Sequence, residues 1–137
     1  PVYQAGPLSA NPVAMAAGYA TLKQLLAPGF YEKLEANTQR LANRLQSYAD
    51  RKGYTLQVQT IASIFWLAFA EGRILRADQI DSGSMEYFKR LHHELLQRGV
   101  YLGPSGYEVG FVSAAHTEAD IDEAAGLMEE CLDIVLA

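Results

Sequence analysis

The chain of 137 residues is half hydrophobic and one-fifth charged, the make-up of one ordinary globular domain with a core of its own. Its net charge of -5, with four lysines and seven arginines scattered along it, argues against nucleic acid and anionic membrane surfaces as partners. A lone Cys131 leaves no internal disulfide and no cysteine-based metal cluster, which suits a reducing, cytoplasmic compartment, and no apolar run is long enough to cross a bilayer. The start at Pro1, without initiator methionine or signal-peptide pattern, reads as a piece cut from something longer.

In chain order, "QAGPLSANP" (4–12) leads into a small-residue helix over 12–26, with Asn11 as N-cap and Pro12 at the first helical position. The first-turn N–H groups of that helix either are capped and nothing more or hold an anion. Ala14, Ala16, Ala17, Gly18 and Ala20 predict close packing on several sides. Pro28-Gly29 ends the helix. A second helix spans about 31–52, with Tyr31, Leu34, Thr38, Leu41, Leu45 and Tyr48 as its buried stripe and Gly53 as its stop. "YTLQVQT" (54–60) alternates as a half-buried strand should, and the continuously apolar "IFWLAF" (64–69) predicts an antiparallel partner buried on both faces. A polar connector follows over 71–83. Ser84 caps a third helix with Met85, Phe88, Leu91, His92 and Leu95 inward, stopped by Gly99. "VYL" (100–102) and "YEVGFVSAA" (107–115) predict two more strands around the turn "GPSG". Thr117 and Asp120 then form a capping box opening a helix lined by Ile121, Ala125, Met128, Leu132 and Val135. The order ααββαββα predicts an α+β fold, a small antiparallel sheet covered by helices, in a single domain over 1–137.

Few residues are placed for chemistry. His92 and His93 diverge around their helix, and His116 has no second ligand at metal spacing, so no metal site is expected. Cys131 reads as a packing thiol. Glu108 lies among apolar residues in "GYEVGF". Gly110, two positions on and on the same strand face, leaves room for a group beside the carboxylate, although a glutamate on a solvated face fits the pattern as well.

The motifs "YQAGPLSANPVAMAAGYATL" and "GVYLGPSGYEVGFVSAAHTEADID" together resemble the glutamate-1-semialdehyde 2,1-aminomutase family. It belongs to the class III aminotransferases, which use pyridoxal 5'-phosphate (PLP). The resemblance covers nearly the whole chain and is most specific at "PSGYEVGF…SAAHT…DID". It implies the C-terminal small domain of the large PLP-dependent transferase fold (fold type I). Residues 1–11 would resemble the last large-domain strand and loop leading into the connecting helix. The implied parent is a cytoplasmic homodimer that converts an amino acid semialdehyde to 5-aminolevulinate in tetrapyrrole biosynthesis. The family's Schiff-base lysine would precede Pro1, so no catalytic residue is expected here and the chain alone should be inactive and should not bind PLP by itself. Pro7 stands where the family has a threonine that reaches the cofactor phosphate, Ala10 where it has a glycine, and the Leu8 amide is the candidate replacement donor. Glu108 is the implied substrate-pocket carboxylate. Another class III aminotransferase with an external amino donor, or a non-catalytic α+β interaction module, are the alternative readings.

Overall fold

In a computed structural model, which describes residues 6 and 8–137, the chain folds as α1 (Pro12–Leu25), α2 (Phe30–Lys52), β1 (Gln57–Ile61), β2 (Ile64–Ala68), α3 (Met85–Gln97), β3 (Gly110–Phe111) and α4 (Glu118–Leu136). Two 3-10 turns, Ala77–Gln79 and Ser82–Ser84, interrupt the connector between β2 and α3. The sheet is antiparallel in the order β1-β2-β3, so the α+β expectation holds. Helices α2 and α3 both pack on α4, and α2 also lies against β1 and β2.

The core forms where three amphipathic faces and one sheet face converge. From α2 come Leu41, Leu45 and Ala49, from α3 Phe88, Leu91 and Leu95, and from α4 Ile121, Ala125, Met128, Leu132 and Val135. Beneath them lie Phe65 and Leu67, the inward-facing alternates of β2. Leu45, Leu91 and Leu95 are fully buried, each contributing about 1.5–3 kcal/mol relative to an exposed leucine. The helix stops are as expected: Gly53 closes α2 at φ 71°, and Gly99 follows α3 at φ 83°, a region open to glycine at little cost. The Thr117–Asp120 capping box is formed, with Thr117 N–H donating to Asp120 Oδ2 at 2.8 Å and Asp120 N–H to Thr117 Oγ1 at 3.2 Å. Asp is long enough for this reciprocal pair despite replacing the commoner Glu.

Several expectations are overturned. Helix α1 is not packed on several sides: it buries no residue, and Val13, Tyr19, Leu22 and Leu26 are all exposed. Tyr31 is exposed rather than part of the α2 stripe. Ser84 does not cap α3 with its side chain; its hydroxyl donates to Asp81 O at 2.6 Å, while Asp81 Oδ1 accepts from Gly83 N–H. β1 starts at Gln57, because Tyr54 N–H returns to Ala49 O in the turn that leaves α2. Residues 100–102 form no strand, and the strand expected over 107–115 contracts to Gly110–Phe111. A turn in which Glu108 N–H donates to Ser105 O precedes it. Another follows, in which His116 N–H donates to Ser113 O. Local turn bonds therefore satisfy backbone that the strand reading assigned to a ladder, and the observed order is ααββαβα.

β2 is buried on its inner face, and its outer face is only half covered, since Ile64 and Trp66 keep partial exposure. The cover is the connector. Gln59 donates to Ile74 O at 2.9 Å and accepts from Ile74 N–H at 2.7 Å. The sharp β1–β2 turn places Ala62 at φ 49°, a left-handed conformation that costs an alanine roughly 1 kcal/mol.

Candidate functional site

At the N-terminal end the chain turns tightly into α1. Ser9 N–H donates to Gly6 O at 3.0 Å, and Asn11 N–H to Leu8 O at 3.1 Å. Asn11 Oδ1 accepts from Val13 N–H at 3.0 Å and Ala14 N–H at 3.1 Å. With Pro12 lacking an N–H, this cap occupies the amides that an anion at the helix start would otherwise use. Leu8 is exposed, and among the described residues its N–H has no backbone partner. Ala10 stands at φ 58°, a conformation that glycine adopts freely and alanine under strain. The position of Pro7 lies outside the described residues.

At the other end, Glu108 sits on an exposed turn rather than on a strand face. Trp66 Nε1–H donates to Gly106 O at 2.8 Å and pins that turn to β2. The glycine beside Glu108 has a different use from the one expected. A Cβ at Gly110 would overlap the Phe65 ring, so the missing side chain admits Phe65 where open space was expected. The residue that yields to Glu108 is Gly103, whose absent Cβ makes way for Glu108 Cβ and Oε2. The carboxylate thus folds back over its own loop while Tyr107 and Val109 remain exposed.

The other candidates are structural. His92 is half-buried with Nε2 3.2 Å from Leu102 O, His93 is exposed, and His116 Nδ1 accepts from Ser113 N–H at 3.1 Å beside the α4 cap. Cys131 is buried, and burial pushes its thiol above the usual cysteine range, as expected of a packing residue. The lysines do not suit Schiff-base chemistry. Lys23 and Lys33 are exposed, and Lys89 faces Glu86 at 3.7 Å. Lys52 donates to Asp133 Oδ2 at 2.9 Å. That carboxylate, and then the Tyr48 hydroxyl, hold the Lys52 ammonium above the ordinary lysine value, the reverse of the shift that frees an amine for attack. The lysines of the chain therefore do not fit PLP as a covalent host.

Two arrangements had no signal in the sequence. Asp133 collects Tyr48 Oη and Tyr54 Oη, each at 2.8 Å, besides Lys52, and so ties α2 to α4. A cavity of about 540 Å³ opens between residues 98–103, residues 109–112 and the first turns of α4.

No family model matches the chain. It is 44% identical over 135 residues to glutamate-1-semialdehyde 2,1-aminomutase of Desulfitobacterium hafniense. That match covers 98% of this chain and 31% of the relative. Among solved structures it is similar to a PLP-bound transaminase (27% identity, TM-score 0.78, 98% of this chain and 30% of that one). By sequence and fold alike, the chain matches the class III PLP-dependent transaminases. A β-phenylalanine aminotransferase from Variovorax paradoxus is similar to the same extent (27% identity, TM-score 0.76, 97% of this chain and 30% of that one). A glutamate-1-semialdehyde aminomutase from Pseudomonas aeruginosa shares the fold at 18% identity (TM-score 0.78, 99% of this chain and 31% of that one). The chain thus spans about a third of the length of these transaminase and aminomutase relatives.

Proposed function

We propose that the chain is the C-terminal, small-domain part of a PLP-dependent glutamate-1-semialdehyde 2,1-aminomutase. Its parent, a cytoplasmic homodimer, converts the semialdehyde to 5-aminolevulinate for tetrapyrrole synthesis. Residues 1–11 are the end of the large domain leading into α1. The observation that carries this reading is the 44% identity over 98% of the chain to an aminomutase. PLP supplies the electron sink of the reaction; what this chain contributes is position and charge. Glu108, on its pinned turn, presents a carboxylate at the edge of the substrate pocket, where it repels the α-carboxylate of ordinary amino acids. The Leu8 amide contacts the cofactor phosphate in place of the threonine that Pro7 has replaced.

The experiment is kinetic. In the full-length dimer, Glu108→Gln is expected to change the rate with semialdehyde relative to ordinary α-amino acids while leaving the melting temperature in place. Unchanged kinetics with every substrate would return Glu108 to an exposed turn residue, whose replacement is worth less than about 0.5 kcal/mol. Pro7→Thr is expected to slow PLP loss, since a hydrogen bond to a charged phosphate contributes roughly 1.5–3 kcal/mol. The 137-residue chain alone is expected to show neither turnover nor a borohydride-reducible PLP adduct at a defined lysine. A second reading, an aminotransferase with an external amino donor, draws on the 27% identity to solved transaminases. Turnover of an α-amino acid with a keto-acid acceptor at a rate above that with semialdehyde would establish it.

A further inference from the structure

The cavity of about 540 Å³ lies within the size range of ligand-binding clefts, and two of its walls are the segments 100–103 and 109–112. Its floor includes the buried side chains of Leu41, Phe65, Ile121 and Met128. The pairing of β3 with β2 sets where its backbone groups point. Val112 N–H donates to Ser63 O at 2.9 Å, and Phe65 stands opposite Gly110. Bonded and non-bonded pairs alternate along an antiparallel ladder, so the intervening pair, Ile64 and Phe111, is non-bonded. The N–H and C=O of Phe111 therefore point away from β2, toward the free edge of the sheet. Among the described residues neither the Phe111 N–H nor those of Tyr101 and Leu102 has a backbone partner.

The two walls do not close on each other. His92 Nε2 lies 3.2 Å from Leu102 O and ties that wall to α3, and the Glu108 side chain is wedged against Gly103 where the walls meet. At the same end of the sheet, Ile61 and Phe111 stand on one outer face with 72% and 64% exposure, flanking Ile64 in register. An open edge beside exposed apolar side chains is a liability that folded chains normally cover. The relative that is 44% identical is matched over 31% of its length, so more than twice as much polypeptide accompanies this region there.

We propose that this slot receives an extended strand from the part of the aminomutase-length polypeptide outside these 137 residues. The strand pairs with the free edge of β3 and sets an apolar side chain on the cavity floor. Main-chain hydrogen bonds give such an addition its affinity, and the floor gives it its selectivity. The inference rests on the reading of the chain as part of a longer enzyme.

Hydrogen–deuterium exchange tests it, comparing the full-length protein with the 137-residue chain. The amides of 101–103 and those of Val109 and Phe111, which point away from β2, are expected to exchange about tenfold or more slowly in the full-length protein, as amides inside a hydrogen-bonded ladder do. Fast exchange in both would mean an open slot, and slow exchange in both would mean that the walls zip together; either overturns the proposal. In the full-length protein, Phe111→Pro removes the edge N–H without touching a β2 bond. It should erase the slowing at 101–103, whereas Phe111→Val should keep it. The amides of 57–68, read in the same spectra, report whether each variant is folded, and Tyr101→Pro probes the slot from the opposite wall if Phe111→Pro is not. Semialdehyde turnover of the same samples separates the two readings: slowed exchange without turnover would keep the strand and remove the aminomutase.

Discussion

Helices α1 and α2 begin in similar ways, each after a proline- or glycine-containing corner, yet they end up in opposite circumstances. α1 is the more apolar of the two in composition and buries nothing. α2 is polar over most of its surface and buries six residues, among them Leu41, Leu45 and Ala49. The difference is the partner. α2 meets α4 along a seam held by Arg40 with Asp122 at 2.6 Å, Arg44 with Glu129 at 2.7 Å and the Asp133 cluster. α1 meets little beyond the start of α2. Apolar content shows that a helix wants a neighbour; only packing shows whether the neighbour lies within this stretch of chain.

The sharpest way to break that contrast is to truncate one leucine on each helix. Leu45→Ala, at a fully buried site, is expected to cost about 2–5 kcal/mol in chemical denaturation. Leu22→Ala on α1, at 62% exposure, should stay within about 0.5 kcal/mol. A comparable loss at Leu22 would mean that α1 is packed in solution. Next in size is Gly110→Ala, which forces the Phe65 ring to move and is expected to cost about 1–3 kcal/mol. The companion change Ala62→Gly relieves a left-handed alanine and should raise the midpoint by up to about 1 kcal/mol.

The α2–α4 seam should also show itself through pH. Lys52 first, then Tyr48 and Tyr54, hold the Asp133 carboxyl below its ordinary value of 3.8, and Arg40 does the same for Asp122. Because these pKa values are lower in the folded state, the stability they confer is fully present above the unfolded value. It is lost as pH falls below about 3.8 and through the folded values. Melting temperatures of wild type and Asp133→Asn should converge as pH drops through that window, and parallel curves would remove Asp133 from the latch. A purely local effect is expected at the α1 cap, where Asn11→Ala removes two bonds to exposed amides and should destabilise α1 by about 1 kcal/mol, with little change in the global midpoint.

Much of this architecture was legible in the chain itself. The 3.6-residue stripe of α3, the Gly53 and Gly99 stops and the Thr117–Asp120 box are local features, in which the residues that decide lie within one or two turns of each other. The turn before β3 was legible too, in "GPSG" (103–106). Its purpose was not: pattern placed the space beside Glu108, whereas Phe65, 45 residues earlier, fills it at Gly110 and Glu108 itself rests on Gly103. The strand expected at 100–102 failed for the same reason. Apolar β-branched and aromatic residues permit an extended segment, but a strand needs a neighbour at hydrogen-bonding distance, and here Leu102 O turns to His92 instead.

By itself, then, the sequence determined the helices, the β1–β2 hairpin and the family likeness, because each is written in residue identity or short-range spacing. Tertiary structure alone decided that α1 lies bare, that Asp133 joins Tyr48, Tyr54 and Lys52 across about 80 residues, and that a slot opens beside β3. These depend on which distant surfaces meet, and the free energy of such meetings belongs to pairs of elements and to no single stretch of chain.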